Sequence, residues 1–170
     1  MTQVIKILRE SRIAERILLF ALLFLCTGIL LKMQSETWIL FKGILFIISL
    51  LIISFSDFKL QITPDILLIP VICSGFISVT WNSVAGLFFP SALFLTMAYF
   101  KNGIEGGDIK LMAACGFVLG IYGAILAALI GLLLFLIVHL PTYLKQKNKV
   151  YALAPCLSVG CFVVFNMIGG

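Results

Sequence analysis

Two aspartates stand at the borders between long apolar runs and short polar loops, where side chains able to transfer protons are unusual. Asp57 follows one apolar run directly, and Asp108 follows Gly106 and Gly107 and precedes the run that begins at Ile109. Two carboxylates brought close together share one proton, since both cannot ionise cheaply. One can then act as a base on a water molecule while the other acts as an acid toward a carbonyl oxygen or a leaving amine. The pair therefore indicates the chemistry of an aspartic protease.

The same aspartates also have structural interpretations. An Asp before an apolar run is a favourable helix N-cap, a role that the preceding Pro64 favours for Asp65 and that could also account for Asp108. A cap does not explain Asp57, because the C-terminal end of a helix disfavours an anion, and its structural alternative is a loop charge partnered by Lys59. Ionisable groups at the membrane ends of two separate helices are functional candidates by default, which favours Asp57 and Asp108 as one site.

The glycines before Asp108 fit a site that binds a peptide. Gly106 and Gly107 can adopt positive φ, so we expect the chain to turn there. A peptide substrate must approach Asp108 closely, and side chains at the two glycine positions would obstruct it. The loop also opens a helix, whose first backbone N–H groups lack partners and could orient a substrate or a carboxylate.

The elements that position these residues follow from the composition. Hydrophobic residues make up 62% of the chain and charged residues only 11%, and the mean hydropathy is +1.22. A soluble domain of 170 residues could not hide so much apolar surface. The apolar runs are continuous rather than alternating, which favours helices over a β-barrel. We therefore expect an all-α polytopic membrane helix bundle of six to seven helices, with residues 1–170 forming one integral membrane domain in the lipid bilayer.

The candidate helices are the runs that approach the roughly twenty apolar residues needed to cross a bilayer. They are residues 17–31, 38–56, 66–81, 84–100, 109–122, 124–140 and 151–168, preceded by a basic, partly amphipathic segment, residues 1–16, on the membrane surface. Only Gly123 separates the fifth run from the sixth. The fifth run is therefore either a short helix that ends in a tight turn at residues 120–123 or the first part of one bent element. Its Gly116 and Gly120 form a G-x-x-x-G pattern that predicts close helix packing.

The distribution of basic residues predicts the orientation, because Lys and Arg are concentrated in cytoplasmic loops. If every run crosses and the N-terminus is inside, Lys32 and Lys42 alone are placed outside. The inner side receives Lys6, Arg9, Arg12, Arg16, Lys59, Lys101, Lys110, Lys145, Lys147 and Lys149. Both aspartates then lie at the cytoplasmic face. A net charge of +5 dispersed over membrane loops forms no basic patch, so we expect no nucleic-acid partner.

The five cysteines and the single histidine predict neither a metal site nor a catalytic role. No two cysteines form a C-x-x-C pair, and all lie inside apolar runs, so small apolar packing residues are the better interpretation. His139 is predicted to be an interfacial residue, and Trp38 and Trp81 fit an outer aromatic belt.

Two motifs together resemble those of a known family. The sequence GGDIKL, residues 106–111, resembles the G-x-G-D-x-K-L region of the type IV prepilin peptidases, which belong to the GxGD membrane aspartyl proteases. The stretch from Asp57 to Pro64 and Asp65 is similar to the first aspartate of that family and its following P-N or P-D. Near the C-terminus, YALAPCLSVG is loosely similar to the P-F-x-x-G signature of the family's last helix.

The resemblance implies an activity, a substrate and a location. Asp57 and Asp108 would be the catalytic pair, and the supporting positions would be Gly106, Gly107, Lys110, Pro64 and Asp65. The substrate would be a prepilin or pilin-like precursor, cut between its basic leader and a hydrophobic helix at the cytoplasmic face of a bacterial inner membrane. No cofactor and no metal are implied.

The chain departs from the family pattern in two places. Glu105 occupies the position of the first motif glycine, where a third carboxylate could alter proton sharing by the pair, repel an acidic substrate, or face solvent and pair with Lys101 or Lys110. The C-x-x-C motifs of the larger, N-methylating family members do not occur in the sequence. The chain therefore resembles the short, peptidase-only type of tight-adherence pilus systems, without predicted zinc or methyltransferase activity.

Three alternatives stay open at this point. A small transporter or a pilus-assembly subunit would also have polar residues and Gly-broken helices in a membrane, although transport sites lie near the midplane and both aspartates lie at one edge. A GxGD protease with other membrane substrates would share the same pair. A degenerate peptidase that binds precursors without cutting them is favoured only by Glu105.

Overall fold

The computed structural model describes residues 13–33, 36–60, 64–101, 105–145 and 152–168, and in these ranges it contains six α-helices and no strand. The helices are α1 (Ile13–Met33), α2 (Thr37–Leu60), α3 (Leu68–Gly75), α4 (Trp81–Lys101), α5 (Gly106–Lys145) and α6 (Ala154–Ile168). The predicted all-α bundle is confirmed. Of the predicted surface segment, residues 1–12 lie outside the described residues, and the remainder begins α1.

The helices have the length and composition of a membrane protein. By length and composition, the described residues include three helical segments long and apolar enough to cross a bilayer, the third of them interrupted at Gly120: Thr37–Lys59, Trp81–Tyr99 and Gly106–Leu140. Three shorter apolar stretches accompany them: Ala21–Lys32, Asp65–Ser78 and Ala154–Ile168. The predicted run 66–81 corresponds to the apolar helix Asp65–Ser78, in which α3 is flanked by 3₁₀ turns at Asp65–Leu67 and Phe76–Ser78. Its predicted end is wrong by about three residues, because α4 begins separately at residue 81.

The longest helix, α5, is interrupted at Gly120, which has φ 75° and ψ 177°. Positive φ is a conformation that glycine adopts without a steric penalty. The first limb of α5, residues 106–119, runs away from the end of α2 that carries Asp57. This direction follows because the carbonyl oxygen of Val118 accepts a hydrogen bond from Lys42, which lies near the opposite end of α2.

The second limb of α5, residues 121–145, runs back in the opposite direction. Gly123 packs against Ile168 at the end of α6, whereas Gly131 packs against Leu157 near the beginning of α6. The beginning of α6 lies beside the last turn of α2. The two limbs are therefore antiparallel, so of the two sequence alternatives the short helix that ends in a tight turn is confirmed and the single bent element is wrong.

Backbone contacts at glycines hold the limbs against their neighbours. A methyl group added at Gly116 would meet the carbonyl oxygen of Gly86 on α4, and one added at Gly86 would lie 2.7 Å from the carbonyl carbon of Gly120. The second limb crosses α6 in a similar way, because a methyl group at Gly160 would meet the carbonyl oxygen of Ala127. The close packing predicted from the G-x-x-x-G pattern is confirmed.

The core between α2, α5 and α6 is mostly apolar but contains a buried lysine. Phe46 and Phe165 pack with ring centroids 5.5 Å apart. Lys42, only 3% exposed, lies 5.9 Å from the Phe165 ring centroid, and its Nζ donates hydrogen bonds to Ser78 Oγ at 2.7 Å and to Val118 O at 3.2 Å. The ammonium group therefore ties α2 to the last turn of the first α5 limb, a role that the sequence did not predict.

Replacing this lysine is expected to destabilise the fold. Lys42→Met removes the donor for a buried carbonyl near the Gly120 break and should lower the free energy of unfolding by roughly 1–3 kcal/mol, the cost of an unpaired buried acceptor. Thermal unfolding in detergent micelles measures the effect, with Lys32→Met at the exposed end of α1 as the matched control. Equal melting temperatures for the two variants would contradict this structural role.

Candidate active site

Asp57 is held by the first residue of the last helix. It lies in the last turn of α2, because this helix continues past the predicted end at residue 56, and it is only 4% exposed. Its Oδ2 accepts a hydrogen bond of 3.0 Å from the backbone N–H of Ala154. The first N–H groups of a helix lack intrahelical partners and form the positive end of the helix dipole. The contact therefore offsets the unfavourable position of an anion at the C-terminal end of α2.

The sequence did not predict Ala154 as part of the site. The available signal was the following Pro155, since proline is favoured in the first turn of a helix and so indicates where free N–H groups occur. Pro155 belongs to the segment that is loosely similar to the family's last-helix signature. No sequence pattern indicated which side chain these N–H groups contact.

Asp108 lies in the first turn of α5 and is 6% exposed. Its backbone N–H donates a 3.0 Å hydrogen bond to the carbonyl oxygen of Glu105, so Asp108 is inside the helix and the N-cap alternative is wrong. The predicted positive φ at Gly106 and Gly107 is also wrong: both are helical, and among the described residues the glycine with positive φ is Gly120. A methyl group at Gly106 would meet no atom of the described residues within 4 Å, so among these residues the space on this side of the turn is open.

The two aspartates lie close enough to interact electrostatically. The negative charges of Asp57 and Glu105 act on the carboxylate of Asp108, and the charge of Glu105 also acts on the carboxylate of Asp57. Asp57 and Asp108 lie at the same end of the bundle because α2 ends where the first limb of α5 begins. Glu105 is exposed, which places the third carboxylate at the rim rather than between the pair. The structure thus places two buried carboxylates whose charges influence each other at the ends of two helices.

An ion pair connects two of the predicted supporting residues. Lys110 Nζ lies 2.8 Å from Asp65 Oδ2 and 2.9 Å from its Oδ1. The N-cap role predicted for Asp65 is wrong, because Pro64 precedes the 3₁₀ turn without a side-chain capping bond and the Asp65 carboxylate reaches α5 instead. The pair attaches the start of the α3 region to the helix that carries Asp108.

This ion pair is expected to contribute little to stability. Its side chains are 56% and 70% exposed, and water and salt screen charges in such positions. Asp65→Asn should therefore change the free energy of unfolding by less than about 1 kcal/mol. Unfolding in detergent at low and high salt tests this expectation, with Lys110→Met as the matched removal of the other partner. A large decrease in the free energy of unfolding of either variant would show that the ion pair is a main contribution to the stability of the fold.

The remaining polar candidates do not form a metal centre in the part of the chain that the structure describes. No group of three His, Cys, Asp or Glu residues is placed there to hold an ion. His139 stacks on the Phe135 ring with centroids 4.5 Å apart, and its Nδ1 lies 3.1 Å from the Phe135 carbonyl oxygen. Four cysteines are buried, as expected of packing residues, whereas Cys73 is exposed, so the packing interpretation is wrong for it.

Comparisons with known proteins agree on one family. The sequence profile of the type IV leader peptidase family matches residues 44–140, a range that contains both aspartates and the Asp65–Lys110 pair. The chain is similar to two curated proteins named prepilin leader peptidase/N-methyltransferase. It is 28% identical to the one from Neisseria gonorrhoeae over 171 residues, covering 86% of this chain, and 30% identical to the one from Bacillus subtilis strain 168 over 164 residues, covering 87%.

The two relatives are longer than the region they share with this chain. The match covers 57% of the N. gonorrhoeae protein and 63% of the B. subtilis protein. No solved structure gives a significant match.

Proposed function

Because this chain belongs to the type IV leader peptidase family, we propose that it is a membrane aspartyl endopeptidase that removes the basic leader peptide of prepilin-like precursors. The observation that carries the proposal is the convergence of two buried carboxylates, Asp57 and Asp108, from opposite ends of two different helices. The names of the two curated relatives support the same class of substrate.

The hydrogen bonding of the two carboxylates supports different roles for them. A bond from a backbone N–H favours the charged form of a carboxylate, and Asp57 accepts such a bond from Ala154. We therefore assign Asp57 as the base that removes a proton from the attacking water, whose oxygen adds to the carbonyl carbon of the scissile peptide. Asp108 is the acid that protonates the carbonyl oxygen.

Collapse of the resulting tetrahedral diol completes the reaction. The proton held by Asp57 passes to the amide nitrogen, and the C–N bond breaks to give a free amine and a carboxylic acid. Asp108 regains its proton from the hydroxyl group as the carbonyl forms again. The open side of the turn at Gly106 supports the approach of a peptide backbone to this pair.

The distribution of charges and aromatic residues supports a site at the cytoplasmic face of a bacterial inner membrane. Lys59 and Lys110 are exposed near the aspartates. Trp38 and Trp81 are 75% and 90% exposed, at the starts of α2 and α4. Trp38 is at the end of α2 opposite Asp57. Basic residues on one side and aromatic residues on the other agree with the positive-inside rule and an outer aromatic belt.

Cleavage of a pilin precursor tests the proposal directly. The chain is co-expressed with the precursor in a bacterium that lacks its own prepilin peptidase, and processing is read as a gel shift with mass spectrometry of the new N-terminus. We expect a shortened product whose N-terminus follows the basic leader. Failure to cut any precursor, with the protein present in the membrane, would favour the non-catalytic alternatives.

A further inference from the structure

The two helices that carry the aspartates meet largely through other helices. Among the described residues, α2 packs mainly on α1, α3 and α6, and α5 packs mainly on α3, α4 and α6. The helix α3 is thus one of two elements that contact both α2 and α5. The separation of Asp57 and Asp108 therefore depends on how the α3 region is held against α5.

The contacts between α2 and α5 differ at the two ends of these helices. At the end remote from the aspartates, the buried Lys42 donates a hydrogen bond to the carbonyl oxygen of Val118. At the aspartate end, the negative charges of Asp57 and Glu105 act on Asp108, and repulsion between like charges favours separation of the two helix ends. An attraction between the same two chain segments would oppose that separation.

The Asp65–Lys110 ion pair supplies such an attraction. Asp65 follows Asp57 by eight residues, and Lys110 follows Asp108 by two. Lys110 Nζ contacts both carboxylate oxygens of Asp65, at 2.8 and 2.9 Å. Leu67, in the same 3₁₀ turn as Asp65, is only 8% exposed and belongs to the core that α2 shares with α5. The carboxylate of Asp65 is therefore attached to a packed turn, and the ion pair restrains the first turn of α5 against it.

We propose that Asp65 and Lys110 are positioning residues of the candidate active site, whose ion pair keeps the first turn of α5 beside the last turn of α2 so that Asp57 and Asp108 act together. The inference rests on the proposed function and deepens it. Both residues act through the aspartates rather than on the substrate. Because the pair is exposed, water and salt weaken it, so its loss alters the arrangement of the site more than the stability of the fold.

Charge reversal tests the pair in the full chain in detergent. Asp65→Lys and Lys110→Asp should each lower kcat for a pilin precursor by about three- to tenfold with little change in KM, since a weak attraction becomes a repulsion. The double variant restores the attraction and should return kcat to within about twofold of the parent. The matched control is Glu36→Lys, a reversal at an exposed position remote from the aspartates, which should keep the parent's kcat.

Two kinetic results would overturn the proposal. Single reversals that keep the parent's kcat would show that the ion pair does not position the aspartates. A double reversal as slow as the single ones would show that the two residues do not act as a pair.

The salt dependence of kcat gives a readout that a merely structural role would not change. Raising NaCl from about 50 to about 500 mM screens exposed charges. The parent's kcat should then fall toward that of Asp65→Asn, whereas kcat of Asp65→Asn itself should change little. Equal salt dependence of the two proteins would contradict the positioning role.

A proximity measurement tests the same role without any cleavage. Asp57→Cys and Asp108→Cys are combined in a chain that carries Cys73→Ala, since Cys73 is exposed. A short bis-methanethiosulfonate reagent joins the two new thiols, and mass spectrometry follows the rate. We expect the rate to fall about three- to tenfold when Asp65→Lys is added and to recover when Lys110→Asp is added as well. A rate that Asp65→Lys leaves unchanged would overturn the proposal.

Positioning and cutting can fail independently. If the parent protein cuts the precursor and the reversals change neither kcat nor the rate of cross-linking, the positioning proposal alone is wrong. If the parent never cuts a precursor but the cross-linking rate falls and recovers as expected, the positioning role is supported and the peptidase function is wrong.

Discussion

Asp57→Asn and Asp108→Asn are each expected to lower the rate of precursor cleavage by roughly 10²–10⁴-fold, the usual contribution of general acid–base catalysis. Asn has almost the same shape as Asp, and its side-chain oxygen can still accept the hydrogen bond that Asp57 receives from Ala154. The fold should therefore persist while proton transfer is lost. Cleavage is measured by gel shift over time, with the amount of each variant in the membrane fraction determined in parallel.

The matched control is Glu36→Gln, the same change from carboxylate to amide at an exposed position just before α2, at the end remote from Asp57. It should cut at the parent's rate. If both aspartate variants also cut at that rate, the two carboxylates are structural and the proposed mechanism is wrong. If only one variant is inactive, the reaction uses a single carboxylate rather than a pair.

Gly116→Ala is expected to lower the free energy of unfolding by about 3 kcal/mol, at the upper end of the usual cost of overpacking. The added methyl group would collide with the carbonyl oxygen of Gly86, and a backbone neighbour cannot move aside as a flexible side chain can. Separation of α4 from the first α5 limb would also displace Asp108, which lies on the same limb about 12 Å along the helix. We therefore expect a lower melting temperature in detergent together with reduced precursor cleavage.

Gly28→Ala provides the control for this prediction. A methyl group at Gly28 on α1 would meet no atom within 4 Å in the part of the chain that the structure describes, so the change should be neutral or stabilise the helix by about 0.5–1 kcal/mol. The prediction would be contradicted if the Gly116→Ala protein had the same melting temperature as the Gly28→Ala protein and cut the precursor at the parent's rate. The crossing of α4 and α5 would then tolerate a wider separation than the structure indicates.

The sequence alone determined the class of fold and the two principal candidates for catalysis. Continuous apolar runs are a local property, and each run predicts its own helix whatever its neighbours are. Asp57 and Asp108 were identifiable because carboxylates are rare beside such runs, and the glycine spacing at Gly116 and Gly120 indicated a close crossing before any partner helix was known. The positions of helix ends were predicted less accurately, since α2 extends to Leu60 and the predicted run ended at residue 56.

Contacts between distant residues were decided only by the tertiary structure. The N–H of Ala154 on Asp57, the Asp65–Lys110 ion pair and the burial of Lys42 each join residues far apart in the chain. Local propensity carries no information about such partners, so the caps predicted from local pattern at Asp65 and Asp108 were wrong. The reversal at Gly120 likewise required the packing of α5 against α4 and α6, because the same glycine-rich segment was compatible with a bent helix. Local hydrophobicity and residue chemistry thus determined which residues could act, and the packing of remote helices decided which of them meet.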